Sequence, residues 1–278
     1  MPRTWRLAHG RSLELGDRSI VMGILNVTPD SFSDGDAAMT PERAVARAQE
    51  MLAQGADIID VGGESTRPGA EPVSTEEELA RVIPVIEQLA RLGAIVSVDT
   101  YRETTAQMAV RAGAHIVNDV WGLQREPGIA RVAAEKGAGI VIMHTGRDRH
   151  KLPDVIEDQF AFLRRSLSIA ADAGILAEQI VLDPGFGFAK DPGENLEICA
   201  RLDELGALGY PLLVGTSRKR FLGHVTGRDA ADRDAATAAT SAILRCKGAD
   251  IFRVHDVAMN VEALKIADAI RMKAVPGR

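Results

Sequence analysis

One phrase recurs along this chain and limits what it can fold into: a helical pattern ends in Gly-Ala and a short apolar strand follows at once. It occurs at Gly55-Ala56, Gly93-Ala94, Gly113-Ala114, Gly137-Ala138 and Gly248-Ala249, before runs such as Gly139-Ile-Val-Ile-Met143. The glycine suits the left-handed position just past a helix, where a Cβ is penalised. Looser versions precede Ile180-Val-Leu-Asp183 and Pro211-Leu-Leu-Val-Gly215, and Ile20-Val-Met-Gly-Ile-Leu25 reads as a further strand. Between the strands, Val45, Ala48, Met51 and Leu52 recur at helix spacing, as do Leu79, Val82, Ile83, Ile86, Leu89 and Ala90. Thr40-Pro41 and Ser74-Thr75 are caps at helix starts, and Pro84 predicts a kink or a late start in the second helix.

Counted this way there are eight strand-then-helix units, with strands near 20–25, 57–61, 95–99, 115–118, 139–143, 180–183, 212–215 and 250–254. Continuously apolar strands alternating with helices imply a parallel sheet covered on both faces. Eight units in 278 residues favour a closed barrel over an open sheet, and no Gly-x-Gly-x-x-Gly opens the first helix. The expectation is an α/β chain: a single-domain (β/α)8 TIM barrel over residues 20–278 behind a short N-terminal extension, 1–19, read as a hairpin. A net charge of -6 argues against a nucleic-acid partner, and no apolar run has membrane-spanning length. The start lacks the apolar core of a signal peptide, and Cys199 and Cys246 read as reduced packing thiols, so a cytoplasmic protein is expected.

In such barrels the chemistry sits on the C-terminal rim. Here the strand ends are polar throughout: Asn26, Gly62 to Gly69, Asp99, Asn118-Asp119, Met143-His144, Asp183 to Lys190, Gly215 to Arg220 and Arg253 to Asp256. Each alone has an ordinary explanation as a helix cap or a solvated charge; eight together do not. Asp99, Asn118 and Asp183, in a cavity walled by Ile, Val and Met, suit a flat heterocycle whose N–H edge is read by carboxylates. Thr66, Arg67, Ser217, Lys219, Arg253 and His255 form a second set of cations and hydroxyls, suited to phosphate. No glycosidase-like acid pair and no zinc-ligand spacing is present. The polar loop from Asn26 to Gly35 has little to bury, so its ordering is expected to need ligand contacts.

The stretches Asn26-Val-Thr-Pro-Asp-Ser-Phe-Ser-Asp-Gly35, Asp60-Val-Gly-Gly-Glu-Ser-Thr-Arg-Pro-Gly69, Ser97-Val-Asp-Thr100, Asp183-Pro-Gly-Phe-Gly-Phe188, Ser217-Arg-Lys219 and Arg253-Val-His-Asp-Val257 resemble the signature set of the dihydropteroate synthase family. The resemblance runs from about Ile20 to Ala269. It implies a (β/α)8 transferase of folate synthesis, the target of sulfonamides. Such an enzyme joins 6-hydroxymethyl-7,8-dihydropterin diphosphate to 4-aminobenzoate and releases pyrophosphate, using Mg²⁺. By the resemblance Asn26 ligates Mg²⁺, and Asp99, Asn118, Asp183 and Lys219, with Met143, hold the pterin. Arg253 and His255 hold the diphosphate, Thr66 and Arg67 order the phosphate and aminobenzoate end, and Pro68, Phe188 and Ser217 lie beside the aromatic acid. Asn26, Lys219, Arg253 and His255 then carry the catalysis, and a homodimer through outer helices is implied.

Three features depart from the family pattern. Ala189 and Arg220 stand where glycine-like and serine-like residues are expected; Trp121-Gly122 is unusual; and the basic segment 145–151 reads as a solvated loop. Three other functions share parts of this pattern. A pterin-binding methyltransferase module would not need Arg253 and His255; a non-catalytic pterin-binding paralogue would have little use for mobile polar loops; and an aldolase would use Lys219 as a Schiff base.

Overall fold

The structure is a computed structural model and describes residues 3–28, 40–65 and 72–274. It opens with two short strands, β1 (Arg3–Arg6) and β2 (Ser12–Leu15), paired antiparallel. Strands and helices then alternate: β3 (Ile20–Asn26), α1 (Pro41–Ala53), β4 (Ile58–Gly62), α2 (Thr75–Arg91), β5 (Ile95–Asp99), α3 (Glu103–Ala112), β6 (Ile116–Asp119) and α4 (Gly128–Lys136). The second half holds β7 (Gly139–Met143), α5 (Val155–Asp172), β8 (Ile180–Asp183), α6 (Pro192–Ala200), β9 (Leu213–Val214), α7 (Arg220–Thr226), α8 (Asp234–Cys246), β10 (Ile251–Val254) and α9 (Val257–Ala274).

The eight strands β3 to β10 pair in parallel, each with its sequence neighbour, and β10 returns to β3. The ring closes between β8 and β9 through a parallel bridge, Leu182 to Leu212, with the Leu182 N–H donating to Pro211 O at 3.0 Å. The expected (β/α)8 barrel therefore forms, with strand ends within a residue or two of those read from the sequence. All five Gly-Ala glycines, Gly55, Gly93, Gly113, Gly137 and Gly248, have φ between +62° and +115°. The left-handed turn they permit brings each chain directly from helix end to strand start. Thr40 and Ser74 cap α1 and α2 by accepting the backbone N–H groups of Arg43 and Glu77. Helix α2 departs from expectation, because it starts at Thr75 and runs through Pro84. Its buried face, Val82, Val85, Ile86 and Leu89, packs in the core on both sides of the proline, and that burial outweighs one missing N–H.

Apolar side chains form two main layers. One lies between the strands and the surrounding helices. The other fills the barrel interior with Ile20, Met22, Ile58, Ile95, Ile116, Val141, Val181, Leu213 and Ile251. Trp5, Leu7 and Leu15 of the N-terminal hairpin belong to this inner layer, so the hairpin closes the N-terminal end of the barrel. The Trp5 indole N–H donates to Gln179 O at 2.8 Å, and a Cβ on Gly139 would come within 3.2 Å of the indole. Function is thereby confined to the open C-terminal end. Cys199 is half-buried and fits a packing role, whereas Cys246 is exposed at the end of α8. Among the described residues no helix is long and apolar enough to cross a membrane.

Trp5→Ala should remove the plug's largest side chain, which is 1% exposed, and cost about 3–5 kcal/mol of stability. Urea unfolding of the variant checks this, and a loss below about 1 kcal/mol would show that the hairpin does not share the barrel's core.

Candidate active site

The floor of the open end is ionic. Arg253, inside β10, donates through Nε to Asp60 Oδ2 at 2.6 Å and through Nη2 to Asp99 Oδ2 at 2.7 Å. Asn118 donates from Nδ2 to the same Asp60 oxygen at 3.2 Å. Asp60 is fully buried in β4, and its Oδ1 has no partner, nor has Asp99 Oδ1. Asp60 belongs to a motif quoted above but received no role there. Its signal was a single charge inside the apolar run Ile58-Ile-Asp-Val61, one register step inside the rim.

Burial pushes the Asp99 carboxyl up to about 7, opposed by the Arg253 charge and reinforced by Asp60. Asp183, at the end of β8, is pushed up to about 6 by burial, offset by the Gly185 N–H that its Oδ1 accepts at 2.7 Å. Lys219, just before α7, faces this group of acids. Burial and the nearby Arg253 charge lower its amine to about 8. The Arg253 guanidinium itself lies above its usual range, because two carboxylates outweigh its desolvation. Asp99, Asn118, Asp183, Lys219 and Arg253 thus converge on one mouth.

The remaining expected residues divide. Met143 and Phe188 join Tyr101 and Val120 in a separate apolar cluster at that mouth. Lys219 Nζ stands 4.4 Å above the Phe188 ring. Ser217 is buried and turned to His255: its Oγ accepts the His255 backbone N–H at 3.1 Å and lies 2.8 Å from Nδ1. Asn26 ends β3, and its Oδ1 faces the Gly62–Asp99 corner. Thr66, Arg67, Pro68 and most of the loop from Asn26 to Gly35 lie outside the described residues. Among the described residues no group of three His, Cys, Asp or Glu could hold a metal ion.

Two networks around the mouth were not read from the sequence. Arg102 bonds Glu64 Oε2 at 2.6 Å, Glu78 Oε2 at 2.9 Å and Val73 O at 2.7 Å, and Tyr101 donates to Glu64 Oε1. It ties the two ends of the β4–α2 connection to α2. The second corrects the reading of 145–151 as solvated. Arg149 pairs with buried Asp158 of α5 and contacts His144, Lys151 pairs with Glu194 at 2.5 Å, and Arg147 packs on Phe188. The segment is basic because α5 and α6 present acids to it. Ala189 has φ +51°, a left-handed conformation that explains why a glycine-like residue was expected there. Arg220 is exposed at the first turn of α7. Trp121 is held by Asp119, whose carboxylate accepts the backbone N–H groups of Trp121 and Leu123.

Lys190 is a further residue the sequence reading passed over. Its buried amine donates to Gly185 O at 2.8 Å and reaches Phe188 O at 3.4 Å, tying down the loop between Asp183 and Phe188. Burial lowers it to about 7, with Asp183 and Asp158 opposing.

Comparison with known proteins matches residues 22–255 to a family model described as pterin binding enzyme. A dihydropteroate synthase of Bacillus subtilis is 48% identical over 263 residues, 94% of this chain and 92% of the relative. Among solved structures, Xanthomonas albilineans dihydropteroate synthase with 4-aminobenzoic acid superimposes with a TM-score of 0.91 at 45% identity, covering 98% of this chain and 100% of that one. The Burkholderia cenocepacia enzyme complexed with 7,8-dihydropteroate gives 0.89 at 39% identity, covering 98% of each chain.

The raised Asp183 carboxyl has a consequence for stability. Its folded value, about 6, exceeds its unfolded value of 3.8, so the fold favours its protonated form. That contribution is fully present below about pH 4 and is lost as pH rises through about 6. Asp183→Asn should therefore gain stability relative to wild type between pH 4 and pH 7, by a few kcal/mol at about 1.4 per unit. Urea unfolding at the two pH values tests this, and an unchanged difference would show that Asp183 is not desolvated.

Proposed function

The chain belongs to the pterin binding enzyme family, and within it to the dihydropteroate synthases, and from that premise we propose which side chain does what. The reaction joins 6-hydroxymethyl-7,8-dihydropterin diphosphate to 4-aminobenzoate, giving 7,8-dihydropteroate and pyrophosphate. The observation that carries the assignment of the pterin is the unpaired pair of buried oxygens, Asp60 Oδ1 and Asp99 Oδ1, beside Asn118 and Asp183. Buried acceptors without donors are costly, and a flat ring edged with N–H groups supplies what they lack. Met143 and Lys219 complete the pterin pocket.

The chemistry needs little from a base. An arylamine is already neutral at pH 7; the demanding step is departure of pyrophosphate, which calls for positive charge where negative charge develops. The C–O bond to the diphosphate breaks first, its electron pair leaving with pyrophosphate. The amine nitrogen then bonds to the pterin methylene carbon and loses a proton to water. The floor carboxylates stabilise the positive charge that builds on the pterin between the two events. On the diphosphate side stand Arg253 and His255. Arg253 already spends Nε and Nη2 on the floor, leaving Nη1 for phosphate, and Ser217 sets the ring of His255. Thr66 and Arg67 would support the same end, with Pro68 and Phe188 beside the aminobenzoate ring.

Asn26 fits Mg²⁺ only as one member of a larger set, since a single amide oxygen is a weak ligand and the diphosphate and water must supply the rest. Held there, the ion would add charge against the departing pyrophosphate. A homodimer is supported by apolar side chains left in water on the outer helices, Ile243 of α8 and Ile266 and Ile270 of α9. The cysteines, both free, suit a reducing cytoplasm.

Incubating the protein with labelled 4-aminobenzoate, the pterin diphosphate and Mg²⁺ should yield labelled dihydropteroate, and no product would overturn the reading. Asp99→Asn should weaken pterin binding by about 1.5–3 kcal/mol, the value of a hydrogen bond to a charged group. His255→Ala should weaken the pterin diphosphate but leave dihydropteroate, which has no phosphate, unaffected. Calorimetry of both ligands on folded protein separates the cases; parallel losses would make His255 a structural residue.

A further inference from the structure

The two motifs that the reaction leaves unused, Trp121 with its loop and the basic segment 145–151, meet at the mouth. Tyr101, Trp121 and Phe188 stand on the loops after β5, β6 and β8, and cations lie between them. Arg102 and Arg125 sit over the Tyr101 ring at 4.5 and 4.3 Å. Arg125 and Arg147 flank the Trp121 ring at 4.7 and 5.8 Å, and Arg147 lies 4.7 Å from the Phe188 ring. Rings and cations thus alternate along a wall that ends on Lys219, over the far side of Phe188. Its inner edge is the apolar cluster of Tyr101, Val120, Met143 and Phe188.

The wall is unevenly neutralised. Arg102 is answered by Glu64 and Glu78. Arg125 is exposed and makes no ion pair among the described residues. The Arg147 guanidinium is held below its usual range by burial and by the Arg125 charge, with Asp148 opposing, and Lys219 also feels Arg147. Gathering like charges this way costs free energy, and uncharged side chains would pack on the rings without that cost. Around the ring of strands, β6 stands opposite β10 and β7 opposite β3. The positive wall therefore lies across the mouth from Asn26, Arg253 and His255, and serves a second anion.

We infer that Arg125, supported by Arg147 on the Trp121 ring, is a specificity element that captures the arylamine substrate by its carboxylate. This rests on the dihydropteroate synthase reading, in which the second substrate is a benzoate. The aromatic faces accept its ring and the guanidinium attracts its charge, so selection falls on anionic over neutral anilines. Arg125 is a positioning residue, remote from the reacting atoms, and it acts by raising the local concentration of the anion. Such an effect must fade with salt, because screening shortens from about 10 Å at 0.1 M to about 3 Å at 1 M.

The test compares 4-aminobenzoate with neutral 4-aminobenzamide in wild type, Arg125→Gln and Arg125→Lys, at low and at 1 M salt. At low salt Arg125→Gln should lose about five- to tenfold in kcat/KM for 4-aminobenzoate, through KM, with kcat and the KM of the pterin diphosphate unchanged. Arg125→Lys should retain most of the wild-type value, 4-aminobenzamide should show no difference, and the gap should close at 1 M salt. An equal loss with both amines, a loss indifferent to salt, or no loss would overturn the inference while leaving the reaction standing. Failure of the wild type to make dihydropteroate would overturn both.

Discussion

Arg253 reaches from β10 past β3 to carboxylates on β4 and β5, and the open end of the barrel is organised by that one guanidinium. An isolated buried carboxylate is prohibitively costly, and Asp60 has no exposure at all. Two anions share one cation, so the floor stays short of positive charge. The shortage appears where it should: Asp99 rises to about 7, and Oδ1 atoms of both acids remain without donors. Removing either partner of such a pair typically costs about 3–5 kcal/mol. Arg253 is thus both part of the fold and part of the site, and no substitution there separates the two roles cleanly.

The mouth has two electrostatic sides around this floor. On the β3 and β10 side, Asn26, His255 and the spare nitrogen of Arg253 suit an ion-rich leaving group. On the β5 to β8 side, cations are spread over aromatic faces. Stacked guanidinium groups keep their edges available for hydrogen bonds while their faces are occupied. A diphosphate demands concentrated charge, and a benzoate needs a ring face with one charge near it. The two sides differ in the way the two substrates differ, although the whole chain is acidic, with net charge -6.

The architecture was readable because it is local. A glycine past each helix and an apolar run after it are set within a few residues, and the strand-end polar residues mark the rim by position alone. What escaped depends on distant partners. Asp60 lies inside a strand, where only its inward direction, fixed by register with Ser97, makes it functional. Arg102 matters because Glu64 and Glu78 approach it from separate elements. The basic segment looked solvated until Asp158 of α5 and Glu194 of α6 came beside it. Pro84 misled in the opposite sense, since a local helix-breaking signal lost to burial of the helix face.

The loop between Asp183 and Phe188 joins the two substrate regions mechanically. A Cβ on Gly185 would fall 1.9 Å from His144 O, so the chain passes where only glycine fits, and φ there is +66°. Asp183 accepts the Gly185 N–H, Asn195 accepts the Gly187 N–H at 2.7 Å, and Lys190 grips the carbonyls of Gly185 and Phe188. Asp183 faces the pterin floor, and Phe188 belongs to the aromatic wall. Every bond in the loop therefore fixes the distance between the residue that orients the electrophile and the ring that receives the nucleophile. Joining two bound molecules is fast when their reacting atoms are held about 3–3.5 Å apart in alignment. Here that spacing is set by six residues of one chain segment, braced by a lysine whose charge burial has weakened to about 7.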